Sequence, residues 1–287
     1  MPDLFAPLAF TFVQRALVGS VLVGIVCASV GVFVVLRGLA FLGDAISHAA
    51  FPGVVIAFLF KVNLAIGGSI AAVASALTVG LIARRSGLRE DVAIGVVFSG
   101  MFALGVVLFS GIKSYTGDLL GILFGDVLGV NEEQLAIAGV VTLVVVVSLW
   151  LVWKELVFVS FDPVGAAAAG LPVLRYDALL LALIGVTIAV SVQVVGIILV
   201  VAMLVTPAAA ARLVAGTLRD MLALALAFAV GSAIVGIALS FFRNTASGAT
   251  IVLVTTAVFG LVWLARTARM RLASTTIPLP RAPTVPH

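Results

Sequence analysis

ALLLALIGVTIAVSVQVVGIILVVAMLVTPAAAA, residues 178–211, is an apolar stretch without a charged side chain. A membrane-spanning helix needs about 20 mostly apolar residues at a rise of about 1.5 Å each, so this stretch exceeds one crossing unless the helix tilts steeply. Two crossings fit if the chain reverses once, near residues 193–196. We therefore predict two helices here, with a single long crossing as the alternative.

The remainder of the chain is similarly apolar. Of the 287 residues, 63% are hydrophobic and 10% are charged, whereas about a quarter of the residues of a soluble protein are charged. Backbone polar groups in hydrocarbon must be paired, and long continuous apolar runs favour helices over barrel strands, which alternate with period two. The composition predicts an all-α polytopic membrane protein with a single domain at 1–273, followed by a disordered proline-rich tail at 274–287.

Charges in the loops predict the topology. Arginine clusters at 84–89, 212–219 and 266–271 belong in the cytoplasm, whereas segment 113–133 is mainly acidic and belongs outside. All of these loops fall on their expected sides of the membrane if residues 178–211 cross twice. This gives nine helices with the N-terminus outside and the C-terminus in the cytoplasm. A single crossing would give eight. The other seven spans are predicted at 13–36, 39–60, 64–83, 92–112, 135–153, 221–242 and 249–265.

Two further features limit the function. The net charge of +4 does not indicate a nucleic-acid partner, because the basic residues fall in short loops and the tail, where topology explains them. Cys27 is the only cysteine, which excludes an intrachain disulfide and a cysteine metal cluster.

The glycine-rich segment 117–129 is too short and too charged to span, and we predict that it lies on or re-enters the outer face.

Asp44 and His48 are ionisable residues inside a predicted span. A spacing of four places both side chains on one face of a helix, where a carboxylate and an imidazole converge. Ionisable groups in spans cost about 2.5–3.5 kcal/mol on insertion scales and usually face a bundle interior or a water-filled path. The pair is interpreted as half of a metal site or, alternatively, as a structural pair that joins two helices through a hydrogen bond.

Ligand chemistry narrows the metal interpretation. Imidazole and carboxylate suit zinc, manganese or ferrous iron, whereas Cu(I) prefers sulfur. One aspartate and one histidine make two ligands, and zinc ordinarily takes four. A symmetric homodimer with this helix at its two-fold axis would supply two of each. The metal hypothesis therefore predicts a homodimer.

A short cytoplasmic helix is predicted within segment 154–176. A helix-start signal is followed by four alanines at 166–169 and then by a stop signal. Such a compact element is interpreted either as a plain connection or as a knob that docks in a groove on a partner. The residues that carry the start and stop signals are Phe161, Asp162, Pro163, Gly170, Leu171 and Pro172.

Pro207 interrupts a predicted span directly after Thr206. Proline bends a helix and the alanines that follow it permit close helix packing, so a packed, kinked helix is the favoured interpretation. As the alternative, Gln193, Met203 and Thr206 would face a pathway across the membrane.

Four blocks of the chain follow one another in a specific order: LRGLAFLGDAISHAAFPG at 36–53, YTGDLLGILFGDVL at 115–128, FDP with GLP within 161–172, and GIILVVAMLVTPAAAA at 196–211. In this order they resemble the permeases of the ATP-binding cassette importers for zinc and manganese. The resemblance covers residues 12–264. Two positions depart from the family pattern: Val164 and Asn244 stand where acidic residues are common. These leave the ATPase contacts, and any ligand role at position 244, open.

The resemblance implies a multi-pass permease of the bacterial cytoplasmic membrane. It implies a homodimer that carries two cytoplasmic ATP-binding subunits and receives its ion from an extracytoplasmic metal-binding receptor. Zinc or manganese would be held between the protomers by Asp44 and His48, with no permanently bound cofactor. Segment 161–172 would be the coupling helix that docks on the ATPase.

The chain itself is not expected to be an enzyme, because it lacks the G-x-x-x-x-G-K-S/T loop that cradles nucleotide phosphates. Two alternatives stay open. A permease for a metal chelate, such as a siderophore or cobalamin, would need a wide passage free of ligands. An ion-coupled secondary transporter would normally show internal symmetry and broken helices at matched positions.

Overall fold

The computed structural model describes residues 10–111 and 127–274, which contain helices and no strand. Most of the predicted outer-face segment 117–129 and nearly all of the tail 274–287 lie outside the described residues. A 3-10 turn at Val127–Gly129 precedes the sixth helix. The helices are α1 (Thr11–Arg37), α2 (Ala40–Ala49), α3 (Phe51–Leu59), α4 (Leu64–Ser86), α5 (Glu90–Ser110), α6 (Glu132–Leu151), α7 (Trp153–Phe161), α8 (Pro163–Ala168), α9 (Val173–Val195), α10 (Ile197–Val214), α11 (Leu218–Arg243) and α12 (Ser247–Ser274).

Nine stretches within the described ranges are long and apolar enough to cross a membrane, which confirms the predicted number. Eight are single helices, and the ninth, Ala40–Leu59, consists of α2 and α3. The break between α2 and α3 falls at Ala50, and Pro52 lies in the first turn of α3. Proline lacks an N–H and clashes with the preceding turn, which explains why this crossing is built from two short helices.

The long apolar stretch reverses direction, as predicted, at Gly196. Arg37 at the end of α1 donates to Asp177 in the first turns of α9, and Arg212 near the end of α10 donates to the carbonyl of Val35, also near the end of α1. The start of α9 and the end of α10 therefore lie at the same end of the bundle. Gly196 has φ 81°, a conformation that favours glycine and lets one residue join the two helices.

Positive charge collects at one end of the bundle, which we call the basic end. The start of α9 and the ends of α1, α4 and α10 meet there. At the opposite end Arg15 pairs with Glu132. Basic loops favour the cytoplasm, so the predicted orientation, which stays a prediction, places the basic end inside. The basic end carries Arg37, Arg84, Arg85, Arg89, Lys154, Arg175, Arg212, Arg219, Arg266, Arg269 and Arg271.

The core is centred on α1, which packs against α6, α9, α10 and α11. Gly31 of α1 approaches α10 so closely that a Cβ there would overlap the carbonyl oxygen of Leu204. The side chain of Leu204 also fills the space over Gly43 of α2. Small residues allow such close helix approach in membranes, where packing rather than water exclusion drives association. These contacts hold α2 against the bundle, next to α5 and α10.

Candidate metal centre

The helix α2 carries the predicted metal ligands on its exposed face. Gly38, with φ 73°, ends α1, and α2 begins two residues later. Leu42 and Ile46 are buried, whereas Phe41 and Asp44 are exposed and His48 is partly exposed. Spacings of three and four place these last three side chains on one stripe of the helix. The sequence expectation that Asp44 and His48 share a face is met by the fold.

Asp44 and His48 lie close together without being bonded. Nε2 of His48 is 3.7 Å from Oδ1 of Asp44, and the two side chains are 33% and 55% exposed. A separation of this size is too long for a hydrogen bond. Among the described residues, neither side chain makes a hydrogen bond to another helix. The structural-pair interpretation, which requires a bond that joins two helices, has no support in this geometry.

Aromatic rings of α5 hold the imidazole from one side. The ring of His48 makes edge contacts with Phe98 and Phe102, with centroids 5.8 and 5.7 Å apart. Phe98 and Phe102 stack on each other at 6.0 Å. These apolar contacts orient the ring but compete for neither of its nitrogens. The imidazole is thus positioned and remains free to act as a ligand.

The described part of one chain supplies only two ligands. No group of three or more His, Cys, Asp or Glu side chains that could hold a metal occurs there. Gly43, beside Asp44, touches Leu204, which lies eight residues, or about 12 Å of helix, before Arg212 at the basic end. Asp44 is thus an exposed carboxylate well inside a span, which is costly without a partner. The arrangement is suited to completion by a second set of the same ligands.

Helix α8 forms as the sequence predicts. The side chain of Asp162 accepts a hydrogen bond from the backbone N–H of Gly165 at 2.8 Å, and Pro163 opens the helix. Gly170, with φ 83°, follows its end. Phe161 and Val164 are exposed, and α8 packs on α7 and α9 near the basic end. The result is a protruding apolar knob, while the docking role of 161–172, including Leu171 and Pro172, stays a prediction.

The three predicted pathway residues are not gathered at one place. Gln193 lines a cavity of about 320 Å³ at the end opposite the basic end, together with Asn63 and Glu133. Met203 is fully buried in the core, and Thr206 is partly buried on α10. Their pathway role stays a prediction.

Asn244 has a local structural role. It adopts φ 50° and its backbone N–H bonds to the carbonyl of Ser240, which ends α11. Asparagine tolerates this left-handed conformation better than most residues. The side chain at this position therefore needs no ligand role to explain it.

A charged cluster at the basic end was missed by sequence reasoning. Arg37 donates from its Nη1 to Asp177 at 2.6 Å and from its Nε to Ser160 at 2.9 Å, and Arg84 pairs with the same carboxylate. The cluster joins α1, α4, α7 and α9. The available signal was Asp177, an acidic residue directly before the apolar stretch 178–211, on the same side of the membrane as several arginines.

Comparisons with known proteins agree with this architecture. The manganese transport system membrane protein MntC of Halalkalibacterium halodurans is 44% identical over 256 residues, which is 89% of this chain and 88% of MntC. A probable iron transport system membrane protein of Haemophilus influenzae is 40% identical over 89% of this chain and 94% of its own length. Among solved structures, PsaBC from Streptococcus pneumoniae in complex with Fab matches with a TM-score of 0.79 and 37% identity, over 88% of this chain and 91% of that chain. Residues 9–266 match the ABC 3 transport family, and the chain belongs to that family.

Proposed function

We propose that this chain is the permease subunit of an ATP-binding cassette importer that moves a bare divalent transition metal ion across the bacterial cytoplasmic membrane. The observation that carries the proposal is the pair Asp44 and His48, which lies at least partly exposed inside a span and, among the described residues, makes no hydrogen bond or ion pair to another helix. A nitrogen and an oxygen ligand suit manganese, iron or zinc. The relatives named above are manganese and iron transport proteins, which supports manganese or iron as the cargo.

The metal site is completed by a second copy of the chain. Two α2 helices related by a two-fold axis would bring together two carboxylates and two imidazoles. The exposed stripe of α2, with Phe41, Asp44 and His48, is the surface that must meet the axis. A divalent cation bound at the axis would pair with both carboxylates and so offset the cost of placing them in the membrane.

Energy for transport comes from separate ATP-binding subunits. The chain has no phosphate-binding loop of its own, and the knob formed by Phe161 and Val164 on α8 offers an apolar contact outside the membrane. With the basic end in the cytoplasm, α8 faces the compartment that holds ATP. An extracytoplasmic receptor would deliver the ion to the opposite end.

Transport by such a site requires no chemistry on the ion. Closure of the ATP-binding subunits would move α8 and, with it, the helices packed around the basic end. Separation of the two α2 helices then breaks a four-ligand site into two weak halves and releases the ion. Each state of the dimer exposes the site to one side at a time.

The test is metal uptake by the complex reconstituted in vesicles with its ATP-binding subunit. His48→Ala and Asp44→Asn should abolish metal-dependent uptake and metal-stimulated ATP hydrolysis, because the first removes two nitrogen ligands from the dimer and the second replaces two carboxylates with neutral amide oxygens. Asp91→Asn is the matched control, since Asp91 is an exposed carboxylate at the start of α5, and it should transport normally. Near-normal uptake by His48→Ala, at normal membrane levels, would refute the site.

The dimer has an independent test. Phe41→Cys in a Cys27→Ser background should give a linked dimer with a short cysteine-specific cross-linker. Leu253→Cys, exposed on α12, is the control and should give none. Linkage through Leu253→Cys but not through Phe41→Cys would place the axis elsewhere and contradict the proposed site.

A further inference from the structure

A groove at the basic end is not used by the proposed transport function. Helices α6 and α11 both pack on α1, and the space between them is walled on one side by the start of α7. Its volume is about 670 Å³, within the range of about 300–1,000 Å³ typical of ligand sites. Ser29 of α1 lies at its floor, and Leu149, Leu222 and Leu226 line its walls.

The mouth of the groove is charged, whereas its deeper walls are apolar. Lys154 in the first turn of α7 and Arg219 in the first turn of α11 both line it. Among the described residues neither cation has an ion pair or a side-chain hydrogen bond. Glu155 is the one carboxylate that lines the groove, so the mouth carries a net charge of about +1.

Two tryptophans indicate that the mouth of the groove lies at the membrane–water interface. Trp150 and Trp153 line the groove beside Lys154. Tryptophan is enriched where hydrocarbon meets headgroups, and basic pockets between helices on the cytoplasmic side bind anionic lipid headgroups. An apolar groove that opens at this level, with two unpaired cations, matches a molecule with one negative charge and a long apolar chain.

We propose that this groove binds a phospholipid with a single net negative charge, of the phosphatidylglycerol type, from the cytoplasmic leaflet. The phosphate lies between Lys154 and Arg219, and an acyl chain follows Leu149, Leu222 and Leu226 towards Ser29. A headgroup hydroxyl donates to the carboxylate of Glu155, which turns the only negative group at the mouth into a hydrogen-bond acceptor. A headgroup with a second negative charge is disfavoured by the same carboxylate.

The experiment measures lipid retained by the purified full-length chain. The protein is washed in detergent, incubated with equimolar phosphatidylglycerol and phosphatidylcholine, and analysed by native mass spectrometry. We expect wild type to retain phosphatidylglycerol over phosphatidylcholine. The double variant Lys154→Gln/Arg219→Gln should lower phosphatidylglycerol affinity about 30-fold, or about fivefold for each cation removed. Ala223→Trp, which fills the groove without a change of charge, should also lose the lipid.

Matched controls make the result decisive. Arg266→Gln/Arg269→Gln removes two exposed charges at the same end of the bundle, on α12, and should retain lipid like wild type. Equal retention by the Lys154→Gln/Arg219→Gln variant and by this control would overturn the proposal. So would equal retention of the two lipids by wild type, which marks non-selective surrounding lipid. Neither readout requires metal or ATP, so the result is independent of the transport function.

Discussion

The carboxylate of Asp177 is the point at which the basic end is most sensitive to mutation. Its side chain is 11% exposed and that of Arg37 is 16% exposed. Arg84 pairs with the second carboxylate oxygen and is 41% exposed. Asp177→Ala would leave two guanidinium groups close together without a counter-charge, one of them largely withdrawn from water. We expect this to be the most destabilising single charge removal in the cluster.

The expected loss of unfolding free energy is larger for the buried members of the cluster than for the exposed one. Removal of one member of a buried ion pair costs about 3–5 kcal/mol, because the remaining charge is left unpaired. Removal of Arg84 should cost about 1 kcal/mol or less, since its side chain is partly solvated and Arg37 still neutralises the carboxylate. Arg37→Ala should lie between these values, because Asp177 keeps Arg84 but Ser160 loses its donor.

The assay is the free energy of unfolding in mixed micelles, measured by titration with sodium dodecyl sulfate. Arg89→Ala is the control, because its side chain is 86% exposed and its one ion pair within the described part of the chain is with Asp91, at 3.4 Å. Arg37→Met/Asp177→Leu should recover part of the loss, because apolar residues of similar volume replace buried pairs at little cost. Unfolding free energies of Asp177→Ala and Arg89→Ala that agree within about 1 kcal/mol would show that Asp177 and Arg37 do not behave as a buried ion pair.

Two further predictions concern packing and docking. Gly31→Val should destabilise the protein by about 1–3 kcal/mol or more, because its side chain would overlap the Leu204 carbonyl; Gly260→Val, at an open position on α12, is the control, and equal unfolding free energies would contradict the close α1–α10 contact. Asp162→Ala should remove the cap of α8, worth about 1 kcal/mol, and weaken retention of the ATP-binding subunit about fivefold in co-purification titrations. Retention equal to that of Asp91→Ala would show that α8 is not a docking element.

Local sequence signals predicted those parts of the fold that depend on local chemistry. The apolar runs gave the nine spans, and the reversal at Gly196 followed from the length of one run and the charges beside it. Helix α8 was predicted from its cap, its alanines and its stop. The break between α2 and α3 was not predicted: the second span was given at 39–60 without a break, although Pro52 is visible in the sequence. A proline within an apolar run can equally indicate a kink inside one continuous helix, so Pro52 alone did not predict a break.

The candidate site likewise has some features that local sequence predicts and others that depend on tertiary packing. The spacing of Asp44 and His48 was enough to place them on one helix face, because that property depends only on helix period. Their exposure and the aromatic wall of Phe98 and Phe102 depend on how α2 packs against α5, which no local pattern encodes. The ion cluster at Asp177 joins residues up to 140 positions apart. Such contacts arise from tertiary packing and leave only a faint compositional trace.

The position of α2 is consistent with the proposed metal site between two protomers. This helix has only ten residues and is bounded by Gly38 on one side and by the break at Ala50 on the other. Arg37, which precedes Gly38, bonds to Ser160, and Ser160 precedes the start of α8 by three residues. In the proposed mechanism, this hydrogen bond and Gly38 would connect α7, which leads into α8, with the helix that carries Asp44 and His48. Leu42 and Ile46 are buried and fix α2 to the bundle, so its ligand face stays in place and the proposed site would be divided by movement of one protomer relative to the other.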